Sequence, residues 1–367
     1  MGNDVKTNKS LIDAIINNVY NVKELISRAT LEELNAECSV DDRLPILIAA
    51  KYNPKLIVDI INAGAYSGMF AGGKHFIKTL HQYNKNYIPQ LIQDCVDNDC
   101  SNSKIEEIII FLSTYNYLDT EGVLGKNVLM TAFDAKPFLM SYCLTYNTDP
   151  FLKTSSGNSF FDELQPYIDN PIIENSIHKS TILHYCAAAG LSENNKKFIL
   201  KLIESGLDIN QQDNQGNSVL HWAADFSDFN MVKFLIENGA DPFLLNNNKE
   251  NIMHKMASKS FSQTNYEYFL NLGCNPNQEN AKGRNIFDIA LEYSIANLQL
   301  LIDCEKIKDF IDKYTLIEMD NMLGQCFKND SVSFLEDEGI NNLKMILQKH
   351  TLEQKAQIKK NKINKVL

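Results

Sequence analysis

A short pattern recurs along the middle of this 367-residue chain, and its period constrains the fold more than any other feature. Thr181-Ile-Leu-His184, Ser218-Val-Leu-His221, Asn251-Ile-Met-His254 and Asn285-Ile-Phe-Asp288 end 37, 33 and 34 residues apart. A second marker keeps step with it: Gly206-Leu-Asp208, Gly239-Ala-Asp241 and Gly273-Cys-Asn275. Two markers in one phase mean a supersecondary unit repeated, and units of this length bury their apolar faces against their neighbours. Each unit has room for two short helices, which below ~12 residues are marginal alone in water. The glycines fall where a second helix would end, a position at which a left-handed residue satisfies loose carbonyl groups.

The best unit, Gly216-Asn-Ser-Val-Leu-His-Trp-Ala-Ala224 followed by Met231-Val-Lys-Phe-Leu-Ile-Glu-Asn-Gly-Ala-Asp241, resembles the ankyrin repeat. The repeat of that family is a turn, a helix opened by T-P-L-H-x-A-A, a second helix ending in L-L-x-x-G-A-D, and a hairpin. Here Ile182, Val219, Ile252 and Ile286 replace the family proline, and the first unit holds extra residues at Ser192 to Lys196. The resemblance implies an all-α solenoid of stacked helix pairs with hairpin turns, and it is specific over 177–303. Weaker echoes run through 1–176 as degenerate repeats: Ser10 to Ile16 with Val22 to Ile26, Leu44 to Ala50 with Leu56 to Ala65, Asn127 to Ala132, and Asn158 to Asp162. Residues near 66–120 fit the phase poorly and leave room for an insertion. Residues 304–367 read as a helical C-terminal cap with a Lys-rich tail.

Composition narrows the function classes. Hydrophobic residues are 44% and charged residues 22%, enough to build a core. The net charge of -11 argues against nucleic acid as a partner, since neutralising phosphates takes a basic surface. Eight cysteines without a framework suit free thiols in a reducing compartment. No apolar stretch approaches the ~18 residues that read as a membrane span, and the start, MGNDVKTNKS, lacks the apolar core of a signal peptide. The expected location is the cytoplasm, or a host cell reached without a cleaved signal.

Chemistry-bearing motifs are sparse. Gly68-Met-Phe-Ala-Gly-Gly-Lys74 approximates a phosphate loop, but His75 stands where the magnesium-binding Ser or Thr belongs. His75, His81, Cys95 and Cys100 have residue types that suit tetrahedral zinc, although Asp94, Asp97 and Asp99 oppose thiolate formation. They define the alternative reading, an enzyme or zinc-dependent module within 1–175 targeted by the repeats. HExxH, GxSxG and dinucleotide fingerprints are absent, and no catalytic residue or cofactor is assigned.

The resemblance instead implies a non-enzymatic scaffold that binds another protein through a concave groove and the hairpin tips. In the groove, Trp222 and Phe226, four residues apart on one helical face, are the expected aromatic anchors, with Asp225 beside them. The expected tip contacts are Gln212, Asp213 and Asn214; Asn246, Asn247, Asn248 and Lys249; and Gln278, Glu279 and Lys282. The acidic balance favours a partner with a basic surface. The tail admits three roles: a solubilising extension, a partner-binding arm or a secretion signal. Glu336-Asp-Glu338 and the terminal lysines loosely resemble type IV secreted ankyrin effectors of intracellular, Legionella-like bacteria, which implies a host protein as partner.

Overall fold

The computed structural model describes residues 4–35, 44–65, 70–71, 74–173, 178–226, 228–259, 261–293 and 301. Among them are nineteen α-helices, two 3-10 turns and one antiparallel hairpin, Phe70–Ala71 paired with Lys74–His75, so the fold is helical as expected. The chain divides into two compact units, 1–213 and 214–367. The expected cap and tail, 304–367, lie outside the described residues.

The first unit holds α1 (Asp4–Asn17), α2 (Val22–Arg28), α3 (Leu31–Asn35), α4 (Pro45–Tyr52), α5 (Ile57–Asn62), α6 (Phe76–Asn84) and α7 (Ile88–Asp97). It continues with α8 (Asn102–Thr114), α9 (Val128–Ala135), α10 (Leu139–Thr145), α11 (Phe160–Glu163), α12 (Gln165–Asp169), α13 (Ile182–Ala188) and α14 (Glu193–Glu204). α4 packs on both α1 and α6, α7 on α9, and α10 on α9 and α13. The stretch read as room for an insertion is therefore helical over most of its length. The 3-10 turn Lys85–Tyr87 leads from α6 into α7, and each helix buries an apolar stripe at helical spacing, Phe76, Ile77 and Leu80 in α6 and Ile88, Leu91 and Ile92 in α7.

The second unit holds α15 (Val219–Phe226), α16 (Phe229–Glu237), α17 (Ile252–Ala257), α18 (Gln263–Asn271) and α19 (Ile286–Tyr293). α15 packs against α16 and α17, and α17 against α19.

Helices in both units end on one device. After α14, α16 and α18 the chain turns through Gly206, Gly239 and Gly273 at positive φ. The next amide then reaches back to a helix carbonyl: Leu207 to Leu202 (3.2 Å), Ala240 to Leu235 (3.0 Å) and Cys274 to Phe269 (3.0 Å). The same reach-back follows α1, α7, α8 and α10 without glycine. There Asn18, Asp99, Asn116 and Asn147 take the left-handed conformation, which short polar side chains tolerate.

Candidate partner-binding surface

The hairpins between helix pairs are built alike. An amide donates to the carbonyl four residues on at Gly122 to Lys126 (2.8 Å), Thr154 to Asn158 (3.0 Å), Asn246 to Glu250 (2.9 Å) and Asn280 to Arg284 (2.8 Å). The side chain of Asn246 braces its own loop: Oδ1 accepts from the amides of Asn248 (2.9 Å) and Glu250 (3.0 Å). Its Nδ2 donates to Asn217 Oδ1 at 3.0 Å. Asn280 does the same for Lys282 (2.9 Å) and Arg284 (3.1 Å). Asn246 and, at the equivalent position, Asp213 are buried, where the sequence predicts exposed tip contacts. The Asn246 carbonyl oxygen, taken up by two amides, is turned into its own loop. Asn280 and Asn217 were not singled out from the sequence, although a recurring Asx heading each turn was the available signal.

Adjacent hairpins of the second unit are tied edge to edge. The Asn247 amide donates to Gln215 O (2.9 Å), Asn247 Nδ2 to Asn214 O (3.0 Å), and the Ala281 amide to Asn248 O (2.7 Å). The side chains left in solvent are Asn214, Asn247, Asn248, Lys249, Glu279 and Lys282, while Gln212 and Gln278 are half-buried.

The motif histidines are internal. His184, His221 and His254 are buried, and each Nδ1 accepts the amide three residues earlier, from Thr181, Ser218 and Asn251, all at 3.2 Å. The imidazole thus takes the place of Glu in a capping box. Asp162 and Asp288 fill the same role at Ser159 and Asn285. With Nδ1 accepting, Nε2 of His221 carries the proton and donates to Glu250 O at 2.9 Å, joining α15 to the next hairpin. Burial holds His221 and His254 below the ordinary histidine range.

Trp222 does not face solvent. α15 is buried from Val219 to Ala224, leaving Trp222 7% exposed, and only its last turn emerges. Phe226 is 56% exposed, with its ring 5.6 Å from that of Trp222. Trp222 is therefore the base on which Phe226 rests. Asp225 is half-buried and pairs with Lys255 (3.4 Å), which also approaches Glu250 at 3.9 Å, so the Asp225 charge is already engaged.

The four expected zinc ligands are not brought together. His75 is buried, capping α6 by accepting the Ile77 amide at 3.2 Å, with its ring 4.1 Å from Phe111. His81 stacks on Tyr117 at 3.8 Å. Cys95 and Cys100 flank the end of α7, joined by Cys100 N to Cys95 O at 2.9 Å. Their mutual hydrogen bond, then burial, pushes Cys95 far above the usual thiol range, while the same bond draws Cys100 below it. Zinc needs both as thiolates. Among the described residues no three His, Cys, Asp or Glu side chains converge as a metal site. The phosphate-loop reading fares no better, because Lys74 and His75 lie in a strand hydrogen-bonded back to Phe70 and Ala71.

A family model described as ankyrin repeats, in three copies, matches residues 154–246 and 220–312. The match spans less than half of the chain, and over that stretch the sequence is similar to ankyrin repeats. An ankyrin repeat protein of Acanthamoeba polyphaga mimivirus is 33% identical over 87 residues, 23% of this chain and 20% of that protein. The human ankyrin repeat family A protein 2 is 33% identical over 91 residues, 25% of this chain and 26% of its own. A second mimivirus ankyrin repeat protein is 25% identical over 139 residues, 38% of this chain and 76% of its own. The chain thus spans only about a fifth of the first of these relatives. No helix among the described residues is long and apolar enough to cross a membrane.

Proposed function

We propose that the chain is a non-enzymatic scaffold whose ankyrin repeats hold a partner protein through the hairpin tips and the last turn of α15. The exposure of Phe226 carries this reading: a large aromatic, held by the buried Trp222 beneath it, stands in solvent where a soluble protein gains nothing by placing it. Further support comes from the hydrogen-bonded hairpins, which present Asn247, Asn248 and Lys249 without further ordering cost. The exposed tips carry Glu279 beside Lys249 and Lys282, which fits a partner of mixed charge better than the purely basic one implied by net charge.

The repeats extend, in this reading, through residues 1–153. The common hairpin closure at Gly122 and the left-handed helix ends at Asn18, Asn116 and Asn147 support that extension. A host-cell effector role rests on the tail, outside the described residues. The enzyme alternative gains no metal-binding cluster among the described residues of the first unit.

The test is affinity capture with full-length wild type beside Phe226→Ala and an Asn247→Ala/Asn248→Ala pair, followed by titration of the captured partner. Anchor loss should weaken binding by about 2 kcal/mol. Undiminished affinity in both variants would place the surface elsewhere.

A further inference from the structure

The first unit carries a second surface of opposite character. A cleft of about 960 Å³ opens beside α7 and the hairpin that follows Glu121, and four lysines line it: Lys23, Lys55, Lys85 and Lys126. Two carboxylates, Asp94 and Asp134, share the lining, and both are engaged. Asp134 pairs with Lys126, while Asp94 accepts from the Tyr87 hydroxyl and from Gln90 Nε2 at 2.8 Å. Lys23 pairs with Asp59 at 3.1 Å. Lys55 and Lys85 are exposed and form no ion pair with any of the described residues. In a chain of net charge -11, this cleft sets Lys55 and Lys85 against one carboxylate that no cation neutralises, Asp94, and so stays net positive.

Its wall is also apolar where solvent should discourage it. Val123 and Leu124, at the tip of the hairpin closed by Gly122 and Lys126, are 83% and 82% exposed and border the cleft. Tyr83, half exposed, lines the same space. Adjacent aliphatic residues this exposed mark a contact surface more than a solvated turn.

We propose that this cleft binds an extended acidic peptide segment bearing a bulky apolar side chain, its carboxylates on Lys55 and Lys85 and its apolar group against Val123, Leu124 and Tyr83. Charge complementarity selects an acidic ligand. A peptide is favoured over a nucleic acid because Asp94 and Asp134 would repel an unbroken row of phosphates, whereas separated carboxylates can avoid them. The aliphatic pair likewise suits a leucine or phenylalanine side chain better than a base, which gains most by stacking on an aromatic ring. This surface shares no residue with the one around Phe226, so each can fail without the other.

The test uses the full-length chain and fluorescence anisotropy with three probes. These are a synthetic peptide pool in which Asp and Glu alternate with Leu and Phe, a matched pool with Lys in place of the acidic residues, and a short oligothymidylate. The acidic pool should bind best and weaken with added salt. Lys55→Glu/Lys85→Glu should weaken it by about tenfold or more and improve binding of the basic pool. Leu124→Ser should weaken it severalfold, and Phe226→Ala should leave it unchanged. All four substituted positions are exposed, so melting curves close to that of the wild type are expected to accompany these changes. Equal binding of the two peptide pools, preference for the oligothymidylate, or an unchanged affinity in the double variant would overturn the proposal.

Discussion

Gly216 and Asn247 approach so closely that no side chain fits between them: a Cβ on Gly216 would lie 2.6 Å from Asn247 Oδ1 and 2.7 Å from its amide nitrogen. That amide is the one that donates to Gln215 O, so the contact and the hairpin-to-hairpin bond are one feature. Gly216 also has φ +75. Gly216→Ala should therefore cost about 2–4 kcal/mol in urea unfolding, from left-handed strain and the clash together. Gly239→Ala is the control, since φ is +99 there but nothing lies within 4 Å, and strain alone should cost about 1–2 kcal/mol. Equal losses would mean that the close approach has little weight.

Lys249 occupies in its hairpin the position that Gly216 and Gly283 hold in theirs, and it adopts φ +56. Its side chain is exposed, so Lys249→Gly relieves left-handed strain without opening a cavity. Part of that relief is offset by the greater freedom of glycine in the unfolded chain, leaving a net stabilisation of about 0.5 kcal/mol. A raised urea midpoint at unchanged slope is the expected result. Because Lys249 is also a proposed contact, weaker partner binding by the same stabilised variant would separate recognition from folding.

Units with glycine at the helix end and histidine in the capping box stand out in the sequence, whereas helix pairs lacking either marker give at most a weaker echo there. Asn18, Asp99, Asn116 and Asn147 perform the turn that Gly206, Gly239 and Gly273 perform. A search keyed on glycine passes over them, although the backbone requirement is identical. Asp288 falls in register with the motif histidines and Asp162 closes a weaker echo, but that each caps with a carboxylate where His221 uses a ring nitrogen shows only in the structure. The site was less legible than the fold because exposure depends on neighbours that the sequence does not place. Trp222 and Phe226 share one helical face, yet packing of α15 against α16 and α17 covers the first and leaves the second in solvent. Asn246 and Asn247 are adjacent in sequence, and only the fold shows that the first is buried within its own loop while the second stays exposed and reaches the neighbouring hairpin.

Acidification should destabilise the second unit through its histidines. Burial lowers the folded-state pKa of His221 and His254 from the ordinary value of 6.5. As pH falls below 6.5 the unfolded chain takes up protons that the folded chain still refuses, so stability drops from there down to the folded pKa. The slope can reach about 1.4 kcal/mol per pH unit for each histidine. Lys255 beside His221 adds to the depression, while Asp225 and Glu250 oppose it. Urea midpoints measured from pH 7.5 down to about 5.5 stay above most carboxyl titrations. The wild-type midpoint should fall across that range, and His221→Gln should fall less steeply. Parallel slopes would show that His221 is protonated equally in both states.

The pair Trp222 and Phe226 separates folding from recognition within one helix. Trp222→Ala removes a buried indole and leaves a cavity, so it should cost about 3–5 kcal/mol and also loosen the base beneath Phe226. Phe226→Ala removes a ring already 56% in solvent, and its cost to stability should be about 0.5 kcal/mol or less. Partner affinity should order differently. Phe226→Ala should lose about 2 kcal/mol of binding at nearly full stability, and Trp222→Leu, which refills much of the cavity, should keep most of its stability yet bind more weakly because the support under Phe226 changes shape. Calorimetric melting and titration on the same preparations check both orders. If Trp222→Leu binds as wild type does while Phe226→Ala does not, the exposed ring recognises the partner without needing the indole beneath it.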